Sequence, residues 1–409
     1  MTITLRMAWR NLWRHKRRTW LTVGAMIFSN LILIFSISLQ LGSYRMMINN
    51  TLKSYTGHMQ IQREGYNEEP KMRSSIDAIV ILANQLRTRL GSSDVAARGV
   101  AFAMTSSEER SYGLQITGVE PGFEPNVSTL PGLISRGGYF TDINAEEIVI
   151  GSVLARNLRV DIGDELTLLG SGHDGSFAAG IAIVTGIFES GIAEMDRNMA
   201  QLPIGYFQNL FGMDGSGHNI VINAAELSQV STVQRAVQET LSDHDGLVVL
   251  DWEQLQPGLK QAIQADFTSA WFMYAVLIVL VAFSVLNTQL MSVLERTREF
   301  GVMMALGVKP ARLGSLVITE TVLMSGLGLA MGALLGVVMT WYLSIAGFSY
   351  PGMEVMAERF NLPDRMYPSL SFLSIMLGPG IVFLFSLLAS IYPAVRLFFL
   401  QPVAAMRAV

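Results

Sequence analysis

The stretch ERTREFGVMMALGVKPARL, residues 295–313, is charged at both ends, apolar in the middle and interrupted by two glycines. Long runs with almost no charge flank it. Between Asp266 and Glu295 no acidic or basic side chain occurs for 28 residues, and from Leu313 to Met353 the single one is Glu320. Two more such runs exist: 26 residues between Arg18 and Arg45, and the interval between Arg365 and Arg396. A helix of about 20 apolar residues crosses a bilayer core. The chain therefore reads as an α-helical membrane protein with four transmembrane helices, at 19–43, 268–294, 313–343 and 368–395. Residues 295–312 become the short connection between the second and third.

Composition agrees with this reading. Of 409 residues half are hydrophobic, 15% are charged and none is cysteine. The first apolar run is too long for a cleaved signal, and SISLQLGSY offers no small-x-small cleavage site, so it reads as a retained anchor. Orientation follows from Lys and Arg. Arg6, Arg10, Arg14, Lys16, Arg17, Arg18, Arg296, Arg298, Lys309, Arg312, Arg396 and Arg407 fall in the two end segments and the 295–312 connection, against Glu295 and Glu299 alone. The stretch from Tyr44 to Phe267 carries 27 acidic and 15 basic residues. The expected topology places 1–18, 295–312 and the tail 396–409 in the cytoplasm, and the domain 44–267 and the loop 344–367 outside. Leu5, Trp9, Leu12 and Trp13 recur on one side of a helix whose arginines face elsewhere, which is the pattern of an amphipathic helix on a lipid surface. Nothing in this charge distribution fits a nucleic acid.

The extracytoplasmic region reads as α+β. GHMQIQREGY alternates as a strand does, SSIDAIVILANQLRTRLG has apolar residues at helical spacing with a cap at Ser75 and an end at Gly91, and VAARGVAFAMTS is a strand. Strand, helix and strand return in HNIVINA, ELSQVSTVQRAVQETLSD and GLVVLDW. Two α/β halves that pack together, flanking a β-rich insert at 106–202, are predicted. WEQLQPGLKQAIQADFTSAWFMY then runs as one helical stalk into the second span.

Candidate chemistry is sparse. The nearest approach to a phosphate-binding loop, GVMMALGVK, lacks the Gly-Lys pair and the Ser/Thr. His15, His58, His173, His218 and His244 have no metal-ligand spacing. GSGHDGSF at 170–177 reads as a turn, and Asp161 and Asp164 as solvated flanks of another. No enzyme, cofactor or metal is expected in this chain. Glu320 is the one intramembrane acid; it lies eight residues, about 12 Å of helix, beyond Arg312, so it is expected to snorkel or to pair with a nearby arginine rather than mark an ion route. In the 295–313 stretch, the second-span helix is predicted to continue through ERTREF. Gly301 and Gly307 then bracket a turn and Pro310 starts the next helix. Phe300, Val302, Met303, Met304 and Leu306 form an apolar knob shaped to enter a groove on a partner.

ERTREFGVMMALGVKPARL resembles the coupling segment of the FtsX-like permeases, the membrane subunits of ABC systems of the MacB and LolC/LolE type. AWRNLWRHKRRTWLT resembles the family's entry into the first span, IVIGSVLARNLRVDIGDELTL its extracytoplasmic core and YPAVRLFFLQPVAAMRAV its C-terminal end. The resemblance implies a porter-like α/β subdomain with a sabre-like β-rich insert, and ATPase contacts at Glu295, Arg296, Glu299, Gly301 and Gly307 with the apolar residues between. Where the family usually has a basic residue in mid-motif, this chain has Met303 and Met304. It further implies a separate cytoplasmic P-loop ATPase dimer that binds the ATP and Mg, a second permease copy or paralogue, and a periplasmic adaptor, lipoprotein or outer-membrane factor as further partners. ATP-driven mechanotransmission in the inner membrane would serve extraction of lipoproteins or other amphiphiles. An FtsX-like transmitter that activates a cell-wall hydrolase is the alternative. Gly328, Gly332 and Gly336 form a small-residue stripe for close helix packing, within the chain or between copies.

Overall fold

The computed structural model describes residues 3–14, 16–108, 110–140, 142–241, 244–353 and 365–401. His15, Arg407 and the rest of 402–409, and residues 354–364 of the 344–367 loop lie outside them. In chain order, α1 (Ile3–Arg14) is followed by α2 (Lys16–Thr51), a π-helical turn (Leu52–Thr56), β1 (Met59–Arg63), α3 (Ile79–Leu90), β2 (Val95–Ser106), β3 (Ser111–Val119) and α4 (Glu124–Val127). After a 3-10 turn come β4 (Ile134–Gly137), β5 (Glu147–Gly151), α5 (Ser152–Leu158), β6 (Glu165–Ser171), β7 (Phe177–Phe188), α6 (Met195–Asn198), β8 (Met199–Pro203), α7 (Ile204–Phe211) and β9 (Asn219–Ile222). α8 (Val230–Thr240), β10 (Leu247–Asp251), α9 (Trp252–Leu255), α10 (Pro257–Glu295), α11 (Thr297–Ala305), α12 (Pro310–Ala346) and α13 (Phe372–Arg396) complete the chain. Two compact units result: a helical unit of residues 1–44, 263–349 and 365–409, and a sheet unit of 45–262 and 350–364.

Among the described residues, four helices are long and apolar enough to cross a membrane: Lys16–Thr56, Pro257–Glu295, Pro310–Ala346 and Phe372–Phe399. Local signals set their ends. Pro310, which has no N–H to leave unpaired, occupies the first turn of α12. Ser371 and Ser374 form a reciprocal capping box at the start of α13. The bundle interior mixes Met26, Leu33, Tyr274, Ile278, Val285, Met324 and Val382 with polar links, among them Thr22 to Thr288 at 2.7 Å and Ser38 to Ser374 at 3.1 Å.

The sheet unit holds one ten-stranded sheet in the order β10-β1-β9-β2-β3-β8-β5-β7-β4, with β6 bridging β2 and β7. β9 lies between β1 and β2, so the strand-helix-strand units interleave. β2 is the bridge to the insert: Val95–Arg98 pairs with β9, whereas Ala103–Ser106 pairs with β6. Helices α3 and α8 cover β1, β9 and the start of β2, burying Ile61, Leu82, Leu86, Ile220 and Val237. Phe207 and Phe211 of α7 cover the rest with Ile116, Leu166, Leu168 and Val184. A Cβ at Gly99 or Gly118 would come within 2.4 Å of the Phe207 ring, which is why that ring can lie on the backbone. On the opposite face Phe102, Met104, Phe177 and Ile181 are exposed.

Two caps differ from expectation. Ser75 does not cap α3, because its hydroxyl bonds His173 Nε2 at 3.2 Å; the helix starts after Ala78, in the left-handed region, with no side-chain cap. The stalk is interrupted at Gln256, since α9 ends there, and the long helix starts at Pro257. GSGHDGSF forms the β6–β7 hairpin turn, and Asp161 is exposed and paired with Arg136 at 2.5 Å.

Burial forces charges to pair inside the sheet unit. Arg98 on β2 donates to both carboxylate oxygens of Glu124, at 3.0 and 2.6 Å, and to the Tyr55 carbonyl at 2.5 Å. Arg87 on α3 pairs with Glu120, which also accepts the Ala97 N–H at 2.7 Å. His218 is buried with Nδ1 accepting the Val100 N–H at 2.9 Å and Nε2 facing the Met72 carbonyl at 3.2 Å. Desolvation pushes its pKa down to about 4.

Candidate functional site

At Glu295 the second long helix stops. Arg296, at φ −101° and ψ 9°, breaks the helical ladder before α11 begins. The Thr297 hydroxyl closes the break by donating to the Val293 and Leu294 carbonyls at 3.1 and 2.8 Å. This corrects the expected run-on through ERTREF. α11 ends as helices with a left-handed glycine do: Gly307 has φ +91°, its N–H reaches the Met304 carbonyl and the Val308 N–H reaches that of Met303, both at 3.0 Å. A β-branched or bulky residue at Gly307 would be strained. Gly301, by contrast, is buried in mid-helix and makes no turn.

The inner face of α11 is fixed in a small core. Phe300 is 0% exposed and packs with Val293, Leu313, Val317 and Leu397, with Met303, Met304 and Val308 against them. Phe300 thus lies in a core rather than on a projecting knob, and Arg296 is 7% exposed. The Arg296 guanidinium donates to Glu320 on α12 at 2.9 Å, contacts Glu299 at 3.4 Å and stands 4.9 Å from the Phe300 ring centre. Glu320 is 4% exposed and also accepts from Asn11 Nδ2 on α1 at 2.6 Å. The outer face consists of Arg298, Val302, Ala305, Leu306 and Lys309, all exposed, with Leu306 at 80%. Arg298, Val302 and Ala305 share one side of α11, and Leu306 follows at its end.

Residues 19–240 match the MacB-like periplasmic core domain family, and residues 271–402 match the FtsX-like permease C-terminal family. The chain belongs to the FtsX-like permeases that carry a MacB-like periplasmic core domain. It is 25% identical over 314 residues to the lipoprotein-releasing system transmembrane protein LolC of Xylella fastidiosa, covering 73% of this chain and 74% of that protein. LolE of Haemophilus influenzae is 24% identical over 73% of this chain and 74% of its own length. The macrolide export ATP-binding/permease protein MacB of Bdellovibrio bacteriovorus is 22% identical over 91% of this chain, which spans 55% of that longer protein. This chain is therefore an ABC transporter permease of the MacB/LolC type.

In the permease, the remaining candidate residues have distinct fates. The glycine stripe of α12 lies against α2 of the same chain. A Cβ at Gly328 would come 2.7 Å from Met26 Cβ, one at Gly332 2.7 Å from Asn30 Cβ, and one at Gly336 3.0 Å from Ile34 Cδ1. On α1 the four candidate residues differ in burial: Leu12 is buried with Ala8, Leu5 is half-buried, and Trp9 and Trp13 are exposed. Trp9, Trp13 and Trp20 instead stack edge to face, with centroids 5.9 and 6.3 Å apart. Asn11 was missed from the sequence, where one asparagine between tryptophans and arginines carries no distinguishing pattern.

Proposed function

We propose that this permease works in the inner membrane as the membrane subunit of an ABC system, with both ends and α11 in the cytoplasm. It couples ATP hydrolysis on a separate ATPase dimer, which holds the ATP and Mg, to movement of its periplasmic domain. The carrying observation is the two-faced α11: its inner face is keyed by Phe300 and Arg296, while Arg298, Val302 and Leu306 project outward. Exposed apolar residues on a short helix whose other face is fixed in a core suit a groove on a cytoplasmic partner. The names of the LolC and LolE relatives support lipoproteins or similar amphiphiles as cargo, and the MacB name supports export of a hydrophobic compound. A second permease copy completes a two-fold assembly with the ATPase dimer.

The test is purification of the tagged chain from its host in mild detergent, beside a Val302→Asp, Leu306→Asp variant. A P-loop ATPase identified by mass spectrometry with the wild type and lost from the monodisperse variant is the expected result. Absence of an ATPase from both overturns the reading.

A further inference from the structure

The break at Arg296 raises a mechanical question. A load on α11 cannot pass to α10 through an unbroken hydrogen-bond ladder, so side chains must carry it. Among the described residues, three side-chain hydrogen bonds join the α1–α2 region to this corner. Arg14 bonds Glu299 at 2.9 Å and Arg18 bonds Glu295 at 2.7 Å, both at accessible positions where ion pairs hold weakly. Asn11 bonds Glu320 at 2.6 Å, and Glu320 holds the buried Arg296. Among these, the Asn11–Glu320–Arg296 node is the least exposed, with Glu320 and Arg296 buried and Asn11 half-buried, so it is the stiffest link.

We propose, resting on the function above, that Asn11, Glu320 and Arg296 are positioning residues forming an internal latch. The latch makes α1, α11 and α12 move as one body. The N-terminal helix thereby becomes part of the coupling apparatus, and a push on α11 reaches the first span through α1 as well as the second through Glu295. Arg296 acts inside the permease and does not contact the ATPase. Glu320 has the same structural assignment, with no part in an ion route.

The chain has no cysteine, which leaves it free for site-directed labels. Spin labels at the exposed positions 10 and 312, both outside the outer face of α11, are introduced into the permease–ATPase complex, as Arg10→Cys and Arg312→Cys, and their distance is read without nucleotide and after vanadate trapping. In the otherwise native complex the distance is expected to be the same in both states. Glu320→Gln and Asn11→Leu are expected to make it state-dependent and to lower complementation of a deletion strain on the order of tenfold. The ATPase should still co-purify, because the stripe of Arg298, Val302 and Leu306 is untouched. The exchange Arg296→Glu with Glu320→Arg is expected to restore a state-independent distance, which guards against variants that merely fold poorly. If the ATPase binds and the single variants keep both the fixed distance and full complementation, the latch is wrong. If no ATPase accompanies the wild type, the functional reading fails and takes the coupling role with it.

Discussion

Arg98 and Arg296 are both buried and both paired with a glutamate, yet they serve opposite ends. Arg98 sits in mid-strand, donates twice to Glu124 and once to a carbonyl, and joins elements that are internally continuous. Arg296 sits at a helix break, makes one close bond to Glu320, and holds across a joint. The sheet unit saturates its buried charge, whereas the helical unit leaves its own with fewer partners. A buried ion pair with few alternatives fixes geometry; whether that geometry is a core or a hinge depends on the backbone at either side.

The largest effect should come from breaking the saturated pair. Glu124→Ala leaves the Arg98 guanidinium buried without its carboxylate and should cost about 3–5 kcal/mol. Thermal unfolding of the detergent-solubilised chain, with hydrogen exchange read on β2 and β8, would show it; a loss below 1 kcal/mol by the same approximate scale would mean that Arg98 is solvated.

Acid sharpens the contrast next. His218 lies in the sheet unit with its pKa pushed down to about 4, below the unfolded value of about 6.5. Between these values the unfolded chain binds the extra proton, so stability is complete above about pH 6.5 and falls as pH drops toward 4. The loss has an upper limit of about 3 kcal/mol. Denaturation at pH 7 and pH 4.5 should differ for the native chain and differ less for His218→Asn; equal pH slopes would refute the assignment.

In the helical unit, overfilling should matter at the glycine stripe. Gly332→Leu forces a side chain where even a Cβ meets Asn30 Cβ at 2.7 Å and the Ile27 carbonyl oxygen at 3.1 Å, at a cost of about 1–3 kcal/mol. A melting temperature unchanged in detergent would show that α2 and α12 separate freely. The smallest effects belong to the surface pairs. Arg136→Ala in one unit and Arg14→Ala in the other should each change stability by about 0–1 kcal/mol. A larger change for Arg14 would show that the exposed contacts of the corner also bear load.

Length and period are local properties, and they were legible. Four runs with at most one charge became four long helices because a span is set by consecutive apolar residues, and MQIQR and VAARGVAFAMTS became strands because side chains alternate at period two. Gly307 was legible as a turn because its left-handed backbone favours glycine. Gly301 misled, since glycine tolerates a close-packed helix as readily as a bend. The tertiary structure alone decided which strands are neighbours: β9 enters between β1 and β2 from more than a hundred residues away. It alone decided the direction of each buried charge, turning Arg296 inward to Glu320, which Asn11 also bonds, and Phe300 into a core. A charged residue can be satisfied by any opposite charge that folding brings near, and sequence spacing holds no record of which one that is.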